Sequence, residues 1–139
     1  MTRYLLDTNV VSELRRARPD AGVLAWLDEA RGHELYLSAL TIGEIRLGIV
    51  RLHRRDPAQA AVLDAWLVGL ESGYADRILP VTVAVARRWA ELNAARPLPV
   101  VDALLAATAA EHGATLVTRN VADLAGIDVP VLDPFGPAR

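Results

Sequence analysis

Three observations place this chain in the α/β class as one domain: four or five short apolar runs, amphipathic segments of helical period between them, and 139 residues of which 53% are hydrophobic. Strands that alternate with helices are joined by crossovers, so the expected architecture is a three-layer α/β/α sandwich with a mainly parallel central sheet of four to five strands. Residues 1–135 form the expected domain and 136–139 a short tail, with the chain from Pro134 onward read as loose.

The elements follow in order. Residues 3–6 (RYLL) are a buried strand that stops at Asp7. Residues 10–16 are helical and end before Pro19, and residues 20–30 place Val23, Leu24, Trp26 and Leu27 at helical spacing ahead of Gly32. Residues 34–40 (ELYLSAL) alternate as a second strand, and residues 41–55 carry Ile42, Ile45, Ile49 and Leu52 on one helical face. A helix opened by Pro57 runs over 57–72, a third strand over 77–81 and a helix over 83–94. The turn 96–99 then leads into an alanine-rich helix, 100–112, ended by Gly113. Residues 114–118 (ATLVT) are a fourth strand, 120–124 a helical turn and 129–132 a fifth strand.

Composition narrows the function classes. Lys+Arg 15 against Asp+Glu 17 leaves a net charge of -2, which excludes a broad basic coat for nucleic acid. All the basic residues are arginine, a pattern that coding bias accounts for more simply, with retention of its planar fork for phosphate or carboxylate as the alternative. The absence of cysteine excludes disulfide scaffolds and thiolate metal sites. No apolar run is long enough for a membrane span, and Arg3 and Asp7 interrupt the N-terminus where a signal peptide needs its apolar stretch, so a cytoplasmic protein is expected.

Three acids stand in apolar company: Asp7 in YLLDTNVV, Glu44 in LTIGEIRLGI and Asp102 in PVVDALLAAT. Ionised carboxylates are costly to bury without compensation. Helix capping is one account of them: Thr41 to Glu44 matches a capping box, Asp102 lies in a first turn, and Asn120 to Asp123 repeats the spacing. The joint pattern supports another. Asp7, Glu44 and Asn120 with Asp123 follow strands one, two and four, and groups just past parallel strands collect along one edge, where such sheets bind ligands. Carboxylates gathered there require a cation, and oxygen-only donors suit Mg2+ or Mn2+. His33, His53 and His112 are scattered, so no histidine base is at hand and a metal-activated water would act on a phosphodiester. No Walker-type phosphate loop is present.

With these sites placed, the sequence resembles the PIN-domain ribonucleases, and among them the VapC/FitB-type toxins of type II toxin–antitoxin pairs. The matching stretches are LLDTNVVSELRR (5–16), LYLSALTIGEIRLGI (35–49), VVDALLAATAAEHGATLVTRN (100–120) and VLDPF (131–135). The resemblance implies a Mg2+-dependent endoribonuclease, with Mn2+ able to substitute, in which Asp7, Glu44 and Asp102 bind metal. Thr8 and Asn9 would orient the first carboxylate and Thr118 would support it from the fourth strand. Many family members have Asp immediately after Thr-Arg where this chain has Asn120, so either Asp123 supplies the fourth acid or that ligand is neutral. Arg46 and Arg119 beside the acids, with Arg15, Arg16 and Arg18, are candidate contacts to RNA phosphates or else ordinary ion pairs. Trp26, Trp66 and Trp89 are expected in the core.

The resemblance also implies a cognate antitoxin that blocks the acidic site, DNA contact only through that antitoxin, and a homodimer for which helices 41–55 and 57–72 are candidate faces. Two other readings stay open. One is a Mg2+-dependent phosphatase or phosphotransferase with Asp7 as nucleophile, although the second acid such chemistry wants two residues on is here Asn9. The other is a non-catalytic RNA- or partner-binding module, kept open by Asn120. With Asp7, Glu44, Asp102 and Asp123 set aside for a metal, 15 basic residues face 13 acidic ones, so the net charge does not oppose RNA binding.

Overall fold

A computed structural model describes residues 2–137. The chain folds as β1 (Arg3–Leu6), α1 (Thr8–Leu14), α2 (Ala21–Glu29), β2 (Glu34–Ser38), α3 (Ala39–His53), α4 (Pro57–Gly73) and β3 (Ile78–Leu79). It continues through α5 (Val83–Ala95), α6 (Val100–Glu111), β4 (Thr115–Val117), a 3-10 turn (Ala122–Leu124) and β5 (Val131–Leu132). The five strands form one sheet in the order β3-β2-β1-β4-β5. Every pairing is parallel, with Leu5 opposite Tyr36 on one side and Leu116 on the other.

Period-two alternation sends neighbouring strand residues to opposite faces and so builds two cores. Leu6 and Val117 join Val10, Val23, Ile45 and Leu67 beneath the helices α1–α4. Leu5 and Leu116 join Leu105, Ala106 and Ala109 of α6 on the other face. Apolar residues on both faces are what a parallel sheet covered by crossover helices requires. Trp26 lies in the first core with Trp66 packed against it. The expected sandwich is therefore present.

Two local expectations are corrected. The third helix begins at Ala39, not at Thr41, because the buried Ser38 hydroxyl accepts from the Leu40 amide and caps it there. Glu44 thus lies inside α3 and is no capping-box partner. The segment after β5 is not loose up to Gly136, since the Gly136 carbonyl accepts from Gly22 N at 2.8 Å and Gly136 N donates to Asp20 Oδ1 at 3.1 Å. Residues 138 and 139 of the expected tail lie outside the described residues.

Candidate active site

The order in which strands are added reverses at β1, whose neighbours β2 and β4 come from different halves of the sequence. Parallel α/β sheets open a crevice at such a point, beyond the C-terminal ends of the strands. Asp7 stands there, immediately after β1, and is 5% exposed. Its Oδ1 accepts from Thr8 N at 2.6 Å; its Oδ2 accepts from Thr118 Oγ1 at 2.6 Å and from Asn9 Nδ2 at 3.3 Å. Thr118, fully buried, also accepts from Asn120 N at 3.1 Å, which ties the loop after β4 to the same node. Thr8, Asn9 and Thr118 are thus the residues that hydrogen-bond the Asp7 carboxylate.

Glu44 reaches the same edge from α3. The Thr8 hydroxyl donates to its Oε1 at 2.5 Å and lies 3.3 Å from the buried Thr41 hydroxyl. Asp102 projects from the first turn of α6, where Pro99 provides no side-chain cap. Burial raises the Asp102 pKa, and the negative charges of Asp7, Asp123 and Glu44 push it further up. The Asn120 side chain works in the opposite direction and favours the charged carboxylate. Asp123, exposed in the 3-10 turn, belongs to the same group through its charge on Asp102. Its backbone is held by Arg96, whose Nη2 donates to the carbonyls of Asp123 at 3.1 Å and Ala125 at 2.6 Å.

Four carboxylates thus share one edge, and among the described residues none of them forms a salt bridge with any arginine. Elsewhere the arginines do pair with acids, as Arg88 does with Glu111 and Arg3 with Glu34. Among the described residues no three acids or histidines close into a ready-made metal cage. The donor chemistry nevertheless fits a hard divalent ion, because Mg2+ keeps several waters and is commonly held by one or two carboxylates together with substrate phosphate. Asp7, with both oxygens hydrogen-bonded, and Asp102, raised by burial and by its acidic neighbours, are the carboxylates that could hold such an ion.

The two arginines expected at the site diverge. Arg46 turns to α4, where Nη1 donates to Asp64 Oδ1 at 2.7 Å, in the ion pair that was its alternative reading. That pair lies in a cavity of about 450 Å3 between α3 and α4 that none of the four acids lines. Arg119 stays beside the site: its backbone N donates to Asn9 Oδ1 at 3.4 Å, and its guanidinium carbon lies 4.1 Å from the centroid of the Phe135 ring. Arg16 pairs with Glu13 at 3.4 Å. Arg15 and Arg55 line a groove of about 380 Å3 that reaches Thr8 and Glu44 between α1, α3 and α4. The sequence reading assigned no role to Phe135, although VLDPF stood out as a motif.

The fold and the carboxylate edge define the class, and the comparisons agree with them. The PIN domain family model matches residues 4–127, and the chain belongs to that family. Within it, the chain falls among the VapC- and FitB-type toxins. It is 35% identical to the VapC ribonuclease Y4jK of Sinorhizobium fredii, over 96% of this chain and 99% of that protein. It is also 35% identical to the toxin FitB of Neisseria gonorrhoeae, over 94% and 97% of the two chains. A toxin–antitoxin complex from Klebsiella pneumoniae contains a chain that superposes with a TM-score of 0.67 at 27% identity, covering 95% of this chain and 98% of that one.

Proposed function

We propose that the protein is the toxin of a toxin–antitoxin pair and acts as a Mg2+- or Mn2+-dependent endoribonuclease. The observation that carries the reading is the group of four carboxylates that, among the described residues, have no arginine partner at the C-terminal edge of the sheet. A structural role would leave such charges paired or neutral. Their persistence fits a cation site, and the 35% identity to a VapC ribonuclease supplies the substrate class.

Asp7, Asp102 and Glu44 would hold the ion, with Asp123 at the rim. When bound, the ion supplies an activated water and offsets charge on the phosphate. Thr118, Asn9 and the Thr8 amide fix both oxygens of Asp7, so it serves as a rigid ligand and is poorly placed as a free nucleophile. Thr8 positions Glu44 through its hydroxyl. Asn120 favours the charged form of Asp102, which is the form a cation needs. Arg119 would hold an RNA phosphate beside Asp7, and Arg15 the strand entering past Glu44.

A cognate antitoxin is the proposed partner, because the similar chain from Klebsiella pneumoniae occurs in a toxin–antitoxin complex. A homodimer is proposed through α3 and α4, which expose Leu47, Val50, Val62 and Val68. No helix among the described residues is long and apolar enough to cross a membrane, which is compatible with the proposed cytoplasmic location.

The decisive experiment incubates purified protein, freed of antitoxin, with RNA in Mg2+ or Mn2+. Cleavage that stops on addition of EDTA is expected, together with growth inhibition on expression. Metal-independent cleavage, or no cleavage by folded protein, overturns the reading. Trapping a phosphoryl group on Asp7 replaces it with phosphotransfer.

A further inference from the structure

We propose that the segment from Asp133 to Gly136 is a strap that presents Arg119 to an RNA phosphate, with Phe135 as its positioning residue. The inference rests on the phosphate-binding reading of Arg119.

The strap is tied at both ends. Asp133 Oδ1 accepts from Phe135 N at 2.9 Å and so closes a turn around buried Pro134. Asp20 Oδ1 accepts from Gly136 N and from Val23 N, each at 3.1 Å, so a single carboxylate caps α2 and anchors the strap. Gly22 N adds a bond to the Gly136 carbonyl at 2.8 Å. At Gly22 a Cβ would lie 2.5 Å from the carbonyl oxygens of both Pro134 and Gly136. Such a contact forces movement, and backbone cannot swing aside as a flexible side chain can. Glycine at position 22 is therefore the condition for the strap to seat.

The seated strap places the Phe135 ring under the Arg119 guanidinium, at 4.1 Å from centroid to Cζ. Phe135 is itself packed against the core cluster under α1–α4, so the platform is fixed. A guanidinium stacked by its face keeps its N–H groups in the open plane, where they can fork onto phosphate oxygens. Arg119 is exposed and forms no salt bridge among the described residues, so no carboxylate competes for that fork. Its backbone N donates to Asn9, which in turn donates to Asp7. The phosphate held by Arg119 would accordingly lie next to the strongest candidate metal ligand.

The test uses full-length protein without antitoxin, a short unstructured RNA, and the variants Phe135→Ala, Phe135→Leu, Phe135→Tyr, Gly22→Ala and Arg119→Ala. Loss of one charge-assisted phosphate contact predicts a KM raised about tenfold in Phe135→Ala, Gly22→Ala and Arg119→Ala, with kcat within about twofold. The slope of log KM against log salt should fall by about 0.7, the share of one phosphate on a single strand. Phe135→Tyr should retain wild-type behaviour, and Phe135→Leu, which keeps apolar bulk without an aromatic face, should resemble Phe135→Ala. In the Arg119→Ala background, Phe135→Ala should add nothing. A readout independent of activity is the upfield ring-current shift of the Arg119 side-chain protons in NMR spectra, expected in wild type and Phe135→Tyr and lost in Phe135→Leu. Wild-type KM in Phe135→Leu, additive effects of the two alanine variants, or an unshifted Arg119 in wild type would each overturn the strap. An inert Arg119→Ala in a protein that still needs metal removes both the strap and the phosphate contact while leaving the metal reading intact. Should Gly22→Ala fail to fold, the Phe135 series decides alone.

Discussion

Asp7 and Asp102 face the same crevice and are kept there by opposite means. Asp7 is buried at the end of a central strand, and three donors meet its two oxygens. Asp102 is half-buried on the first turn of a helix, where burial and three neighbouring carboxylates raise its pKa and one Asn120 bond opposes them. The fold thus satisfies one carboxylate completely and leaves the other in tension. Under the proposed function a bound cation would relieve the repulsion on the Asp102 side.

The comparison is tested first by neutralising each acid. Asp7→Asn and Asp102→Asn should both lower RNA cleavage by about 10²–10³-fold or more, the scale of losing a preorganised electrostatic contact. Their effects on stability should differ in sign. An Asn at position 7 can offer only one acceptor oxygen and turns an amide toward donors, which costs about 1–3 kcal/mol. At position 102 neutralisation removes repulsion, so metal-free Asp102→Asn should melt higher than wild type. Urea or thermal melts of both variants without metal measure this, and equal shifts would erase the distinction between the two halves.

Thr118→Val sharpens the Asp7 half. It removes a donor from Asp7 Oδ2 and the acceptor of Asn120 N while keeping the shape of a fully buried side chain. The expected loss is about 1–3 kcal/mol of stability with a drop in cleavage that extra metal only partly restores. Melting and a Mg2+ titration of the cleavage rate report the two effects separately.

What could be read from residues alone follows the same division. Strand-ending acids and their order along the chain were legible because a parallel sheet brings strand C-termini to one edge whatever the detailed packing. The start of α3 was not, because ELYLSAL alternates as well as a longer strand would, and only the buried Ser38 hydroxyl, capping Leu40, decides the boundary. Asn120 reads as a missing acid; its effect on Asp102, favouring the charged carboxylate, depends on the approach of the β4 loop to α6, which no local pattern encodes. The docking of Gly136 on α2 pairs residues far apart in sequence. Arg46 and Arg119 are equivalent on paper, each beside a motif acid, and are separated only by tertiary partners: Asp64 for one and Phe135 for the other.

A pH series sharpens the Asp102 half. Its raised pKa means the folded state disfavours the charged carboxylate. The penalty is complete where Asp102 is ionised in both folded and unfolded chains, above the raised value. It disappears where both are protonated, below the ordinary carboxylate range of about 3.9. The melting difference between Asp102→Asn and metal-free wild type should therefore be positive at neutral pH and close as pH falls through that window. Millimolar Mg2+ at neutral pH should raise the wild-type melting point and act weakly on the variant, since ligand binding stabilises only a fold that holds the ion. A gap that is constant with pH would remove the account of Asp102 as a carboxylate raised by burial and by its acidic neighbours.

The smallest effect is expected at Arg46. Its 2.7 Å pair with Asp64 joins α3 to α4 with both side chains about half exposed, at 54% and 49%. Exposed pairs contribute about 0–1 kcal/mol and are screened by salt. Arg46→Ala should therefore shift the melting midpoint slightly and leave KM, kcat and the salt slope of RNA cleavage at wild-type values. Arg119→Ala, made in parallel, should leave stability nearly unchanged and move KM and the salt slope. If Arg46→Ala instead changes the salt slope by the amount of a phosphate contact, then Asp64 releases Arg46 when RNA binds, and the electrostatic surface of the site extends across α3. The unchanged slope would confine it to the strand edge, where Arg119 stands over Phe135.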